Sequence, residues 1–159
     1  MIRVQREDFD VGAELDRLAR NRHGIGGIVT FVGLVRDVAG SARIAAMTLE
    51  HYPGMTEKQL AAIEAEARAR WPLEDVLIVH RYGRLLPGER IVLVATASSH
   101  RQAAFEAAEF LVDWLKTKAP FWKLEETSEG SHWVEARASD DSAAERWSEP
   151  QSPIRRIKP

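Results

Sequence analysis

The sequence predicts a mixed α+β domain, and three observations predict it. Segments with apolar residues at helical spacing are interspersed with segments rich in β-branched residues, and no internal repeat organises them. Glycine and proline mark the boundaries, at Pro53-Gly54, Pro72, Pro87-Gly88 and Pro120. The length, 159 residues at 45% hydrophobic, suits one domain with a sizeable core.

The elements follow in order. Residues 10–20 read as a short amphipathic helix with Val11, Leu15 and Leu18 on one face. Gly24, Gly26 and Gly27 form a turn, and residues 28–35 a buried strand. Residues 37–41 read as a polar loop around Gly40, and residues 43–51 alternate like a strand until Pro53-Gly54 breaks them. Thr56 is a candidate cap for a helix that carries Leu60, Ile63, Ala67 and Trp71 at helical spacing and stops at Pro72. Residues 75–82 and 90–98 read as strands joined through Leu86-Pro87-Gly88-Glu89. Ser99 and Gln102 match a capping box, which opens a helix reaching about Lys118, where Pro120 forbids continuation. That helix carries two adjacent apolar stripes, Phe105, Ala108, Val112 and Leu115 beside Ala104, Ala107, Leu111 and Trp114. Residues 121–127 and 132–136 read as a hairpin around residues 128–131. Residues 140–147 suit a last short helix. Residues 1–147 therefore read as one domain and residues 148–159 as a proline-rich, basic, flexible tail.

Composition excludes several classes. Net charge is −2, from 22 basic and 24 acidic residues, so no global field favours nucleic acid or an anionic membrane. No apolar run is long enough to span a bilayer, the first residues lack the apolar core of a signal peptide, and cytoplasm is the default. There is no cysteine, which removes thiol nucleophiles, disulfides and thiolate metal sites. The histidines, at 23, 51, 80, 100 and 132, show no metal-ligand spacing. No phosphate loop, dinucleotide fingerprint or nucleophile elbow is present, and no cofactor is expected.

The candidate chemistry lies in Lys116-Thr117-Lys118-Ala119-Pro120-Phe121-Trp122-Lys123-Leu124-Glu125, where lysines are interleaved with aromatics around a proline turn. A lysine against apolar surface is open to a lowered pKa and hence to proton transfer. Lys116 and Lys118 stand about 200° apart on a helix and cannot share a pocket. Phe121, Lys123 and Glu125 share one face of the strand, Trp122 and Leu124 the other. Lys116 and Lys123 are thus placed to converge on one corner. The plainer reading is solvated lysines at a helix C-terminus, where cations are favoured anyway. His100 and Arg101 follow Ser98-Ser99 at a strand-to-helix junction, a combination suited to phosphate or carboxylate; the alternative is a packed or solvated first turn. Leu34-Val35-Arg36 brings a charge out of an apolar strand, either for a ligand or for Asp37. His51, Tyr52, His80 and Arg81 read as satisfied structural groups.

Five motifs occur in an order that carries a family resemblance. They are Phe31-Val32-Gly33-Leu34-Val35-Arg36, Leu49-Glu50-His51-Tyr52-Pro53-Gly54-Met55, His80-Arg81-Tyr82-Gly83, Ser99-His100-Arg101 with Ala104-Phe105, and the stretch from Leu115 to Glu125. Over roughly residues 1–147 the chain resembles the large, catalytic subunit of molybdopterin synthase. The resemblance implies an α/β hammerhead-like domain with an added antiparallel β subdomain. It implies insertion of two sulfur atoms into cyclic pyranopterin monophosphate to form the dithiolene of molybdopterin. The sulfur is expected from the C-terminal thiocarboxylate of a small ubiquitin-like partner subunit, in a heterotetramer built on a homodimer of this chain. By motif, Lys116 matches the essential lysine and Lys123 the second active-site lysine. Leu34, Val35, Arg36, His100, Arg101, Lys116, Lys123, Leu124 and Glu125 match substrate-contacting segments.

The residues agree with that expectation. A sulfurtransferase without cysteine cannot hold a persulfide, so something else must carry the sulfur. Arg36, His100, Arg101, Lys116 and Lys123 would supply positive charge for an anionic substrate. Two rivals remain: a non-enzymatic binding module for a ubiquitin-like tail, and a phosphate-ester hydrolase using His100 as base.

Overall fold

The structure is a computed structural model and describes residues 1–134, 142–143 and 145–148. In chain order the elements are β1 (Ile2–Gln5), α1 (Val11–Ala19), β2 (Gly27–Leu34), β3 (Val38–Ala39), β4 (Ala42–His51), α2 (Met55–Arg70), β5 (Asp75–Arg81), β6 (Gly83–Leu85), β7 (Arg90–Ser98), α3 (Arg101–Thr117), β8 (Phe121–Thr127) and β9 (Gly130–Val134). The mixed α+β expectation is met, in two sheets.

The first sheet has the order β1-β5-β7-β2. Its central strand β7, Ile91-Val92-Leu93-Val94-Ala95, is a continuous apolar run because both faces are covered. Val92 and Val94 pack under α2 and α3, with Ile63, Ala67, Trp71, Ala107, Phe110 and Leu111. Leu93 and Ala95 face the other way, onto Phe9 and Leu18 of the α1 segment. The alternation along one strand thus builds a three-layer core. Alanines at 103, 104, 107 and 108 are buried in α3, where small side chains let the helix approach the sheet closely.

The second sheet has the order β3-β4-β8-β9, with β6 also paired to β4. Its core is small: Val35, Met47, Leu49 and Leu85, with Ile91 of the first sheet packed against them. Residues just past β2 and at the start of β7 therefore join the two sheets.

Several expectations are corrected. The first residues form a strand, β1, parallel to β5; its alternation of Ile2 and Val4 is too short to be legible alone. Val38–Ala39, read as loop, pairs with β4, and β6 was not anticipated. Gly54, not Thr56, caps α2: the Glu57 carboxylate accepts from the Gly54 amide at 2.7 Å, while Thr56 is buried within the first turn. The Ser99–Gln102 box does not form. His100 is the cap residue of α3, and Gln102 donates to Glu106 at 2.8 Å. Phe105 points outward, 62% exposed, because the buried face of α3 turns toward Ala103, Ala104 and Ala107 instead. The hairpin turn is tighter than read, since Gly130 already pairs with Thr127 across Ser128-Glu129. Of the expected last helix, residues 142, 143 and 145 are helical, and Trp147 packs on Trp71 and Phe110. The remainder of that helix, and the tail beyond Ser148, lie outside the described residues.

Candidate active site

The corner between α3 and β8 is tightly held. The amides of Lys118 and Ala119 both donate to the Trp114 carbonyl, at 2.8 and 3.3 Å, and the Phe121 amide donates to Ala119 at 2.8 Å. From the α2 side, the Thr56 hydroxyl donates to the Pro120 carbonyl at 3.4 Å and accepts from the Tyr52 amide at 3.1 Å. Lys116 lies exposed in the last turn of α3. Lys118 lines a cleft with Glu66, Arg70, Trp114 and Trp147, and Lys116 does not line it. The two lysines therefore serve different surfaces, as their angular separation requires.

Lys123 is the third residue of β8, opposite Leu49 of β4, with Phe121 opposite His51 and Glu125 opposite Met47. Because Leu49 and Met47 belong to the core of the second sheet, this is the inward face of β8. The outward face shows Trp122, 46% exposed, and on the neighbouring strand Trp133, 54% exposed. Near Lys123 stands a nest of rings. His80 stacks on Phe121 with centroids 3.6 Å apart and planes 13° from parallel. His51 lies 4.3 Å from the Tyr82 ring. Burial pushes the His80 pKa down to about 4, and the nearby charges of Lys123 and His51 push the same way. Its Nδ1 lies 2.9 Å from the Arg81 carbonyl, which can only accept, so the neutral ring carries its proton there. Lys123 thus leaves β8 on the face it shares with Phe121 and the buried Glu125, close enough to His80 for its charge to disfavour the protonated ring.

Arg36 emerges just past β2 into an open groove shared with Asp37, Val38, Pro87 and Gly88. Its placement is set by backbone bonds on either side of Val35: the Val35 amide donates to Glu89, and the Gly88 amide donates to Val35. The Gly88–Glu89 turn is in turn anchored by buried Arg81, which reaches Glu89 at 3.3 Å and the Arg90 carbonyl at 2.9 Å. Val35 itself is 3% exposed and is a packing residue, whereas Leu34 is exposed. Leu124 lies on the outward face opposite Thr48. Glu125 is buried, its carboxylate 3.6 Å from the His132 imidazole.

His100 and Arg101, both exposed, lie elsewhere. Gly27 at the start of β2 pairs with Ser98 at the end of β7, and Leu34 pairs with Arg90 at the other end. Seven residue steps separate the two ends, about 24 Å at roughly 3.4 Å per residue. The long helix α3 returns over the same distance, about 22 Å from Arg101 to Lys116. Arg36 and Lys116 therefore share one end of the domain, with Lys123 in the adjoining sheet, and His100 and Arg101 occupy the opposite end. A single chain does not bring the five cations into one pocket. Sequence reasoning missed this separation, because it depends on the direction in which α3 lies on the sheet. His80, read as a satisfied structural group, is buried and bonded to the Arg81 carbonyl as expected, at the end of the apolar run Val76-Leu77-Ile78-Val79.

The fold and these groups define a small α+β protein without a thiol, its candidate cations set at two ends of the domain. A family model described as MoaE protein matches residues 4–118. The chain is 58% identical over 148 residues to the molybdopterin synthase catalytic subunit of Pseudomonas aeruginosa, covering 93% of this chain and 99% of that one. A solved structure of a molybdopterin biosynthesis MoaE protein from Burkholderia ambifaria superposes with a TM-score of 0.79 at 57% identity, over 94% of this chain and 98% of that one. A chain from the complex of subunits 1 and 2 of molybdopterin-converting factor from Helicobacter pylori shares the fold at 19% identity, with a TM-score of 0.71 over 86% of this chain and 91% of that one. The chain belongs to the MoaE family of molybdopterin synthase catalytic subunits, sulfurtransferases of molybdenum cofactor biosynthesis. No described helix is long and apolar enough to cross a membrane.

Proposed function

We propose that this protein moves sulfur from the C-terminal thiocarboxylate of a small ubiquitin-like partner subunit to cyclic pyranopterin monophosphate, forming the dithiolene of molybdopterin in the cytoplasm. The observation that carries the reading is Lys123, held on the inward face of β8 beside Leu49 and a neutral His80, a few residues past Lys116 across a fixed corner. The absence of any cysteine supports a carrier outside the chain. A two-subunit complex in the Helicobacter pylori relative supports a small partner.

In this reading the thiocarboxylate sulfur attacks a side-chain carbon of the pterin and takes the place of an oxygen substituent there, so that a carbon–sulfur bond forms as a carbon–oxygen bond breaks and the departing oxygen takes up a proton. Lys116 moves the proton or stabilises the negative charge that develops, and Lys123 complements it, each role worth roughly a hundredfold or more. Water then cleaves the resulting acyl–sulfur bond, leaving sulfur on the pterin and a carboxylate on the partner. Two sulfurs need two partners in succession, so the partner must exchange.

The separation of the cations supports a homodimer. A second copy packed in the opposite sense supplies His100 and Arg101 to the end that carries Arg36, Lys116 and Lys123. Phe105, exposed one turn after Arg101, suits burial in that contact. Leu34, Leu124 and Glu125 complete the walls, Glu125 as a buried carboxylate beside the cations. With one partner at each end, the assembly is a heterotetramer.

The test mixes the protein with thiocarboxylated partner and cyclic pyranopterin monophosphate and measures the dithiolene product through its oxidised fluorescent form. Product is expected with the thiocarboxylate and none with the ordinary carboxylate. Absence of product from both would overturn the reading and leave a tail-binding module.

A further inference from the structure

His80 is buried in β5, a strand of the first sheet, yet its ring lies flat on Phe121 of β8 in the second sheet. It crosses the junction between the two sheets at the residue where β8 begins. The stack is fixed on both sides. The His80 ring is oriented by its own bond to the Arg81 carbonyl at 2.9 Å. Phe121 is held by its amide bond to Ala119 and by its pairing with His51. Thr56 holds the preceding Pro120 carbonyl from the opposite side. Lys123 follows two residues later on the same strand face as Phe121. The strand face from which Lys123 leaves thus carries, two residues earlier, a ring held by a contact made outside its own sheet.

We propose that His80 is a positioning residue for Lys123, acting through its stack on Phe121. The chemistry asks for an aromatic ring that is flat, buried and uncharged. A second fixed cation there would oppose the approach of the Lys123 ammonium, and imidazole stays neutral in this setting. An aliphatic side chain would fill the space without fixing the plane of Phe121.

The activity arm of the test rests on the sulfur transfer proposed above; the spectroscopic arm does not. Single-turnover rates are measured, per folded molecule and well below the melting temperature, for H80A, H80F, F121L and the H80A/F121L pair. H80A and F121L should each slow turnover roughly tenfold or more, as displaced catalytic groups do. The double variant should be no slower than the worse single one, and H80F should restore most of the rate. In parallel, the side-chain NMR signals of Lys123 should shift in H80A and F121L and return toward wild type in H80F. If H80A does not fold, H80L, which fills the space without a ring, takes its place in both arms. Wild-type rates and unshifted Lys123 signals in the folded variants would overturn the proposal, as would an H80F as impaired as H80A. A wild type without any product removes the sulfur-transfer reading, and the Lys123 signals then decide the positioning role alone.

Discussion

The carbonyl oxygen of Ser99 stands 2.2 Å from the point a Cβ would occupy on Gly26, and the Gly26 amide donates to the Ser98 carbonyl at 2.9 Å. The turn before β2 is thereby pressed against the backbone that starts α3, where His100 and Arg101 sit.

Gly26→Ala should force that backbone apart. A loss of about 1–3 kcal/mol in stability is expected, as for other overpacked sites, together with weaker substrate binding. Gly27→Ala, whose Cβ would meet nothing within 4 Å, is the matched control. Urea unfolding of both variants checks this; equal stabilities would contradict the close approach.

Lys116→Ala should reduce product formation about a hundredfold or more with fold and partner binding intact. Lys118→Ala should be mild, because Lys118 lines the cleft beside Trp147. Equal loss in the two variants would defeat the argument from facing.

Arg101→Ala should weaken substrate affinity by about 1.5–3 kcal/mol, the worth of one charged hydrogen bond. If two copies complete each site, mixing Lys116→Ala and Arg101→Ala proteins should rebuild intact sites. Random exchange in a symmetric dimer restores about a quarter of them. No recovery after verified subunit exchange would mean that each chain works alone.

Assembly offers a further check. Sedimentation should show a dimer without the partner and a heterotetramer with it. A stable monomer at micromolar concentration would contradict both the dimer and the shared site.

His80 makes stability depend on pH. Its folded-state pKa is about 4 against 6.5 for a free histidine, so between those values the unfolded chain binds more protons. Stability should be fully present above pH 6.5, fall as the pH drops toward 4, and change no further through this group below that. The span is roughly 3 kcal/mol. Lys123 and His51 share this surrounding and both disfavour the charged ring. Asp8, held down to about 2 by its hydrogen bonds from Arg90, and Glu126, lowered by its hydrogen bond from Arg84, lose their contributions at lower pH, about 4.5 and below. Urea midpoints from pH 5 to 7 should slope in the wild type and flatten in H80F. A wild type with no slope would mean that His80 is accessible to protons.

Much of this protein was legible in the sequence because it is local. The apolar run of β7, the helix stopped at Pro120, and the alternation that puts Lys123 opposite in face to Trp122 each follow from neighbours a few residues away. The five ordered motifs likewise identified the family without coordinates. Tertiary structure decided what depends on partners distant in the chain. β1 is a strand only because β5 offers it an edge, and Thr56 is buried only because Pro120 returns above it. The direction of α3 on the sheet sends His100 and Arg101 to one end and Lys116 to the other. The His80–Phe121 stack joins residues 41 positions apart in sequence across two sheets. Backbone dihedrals and side-chain periodicity carry no record of such contacts, since their energy comes from surfaces that meet only after the chain has folded.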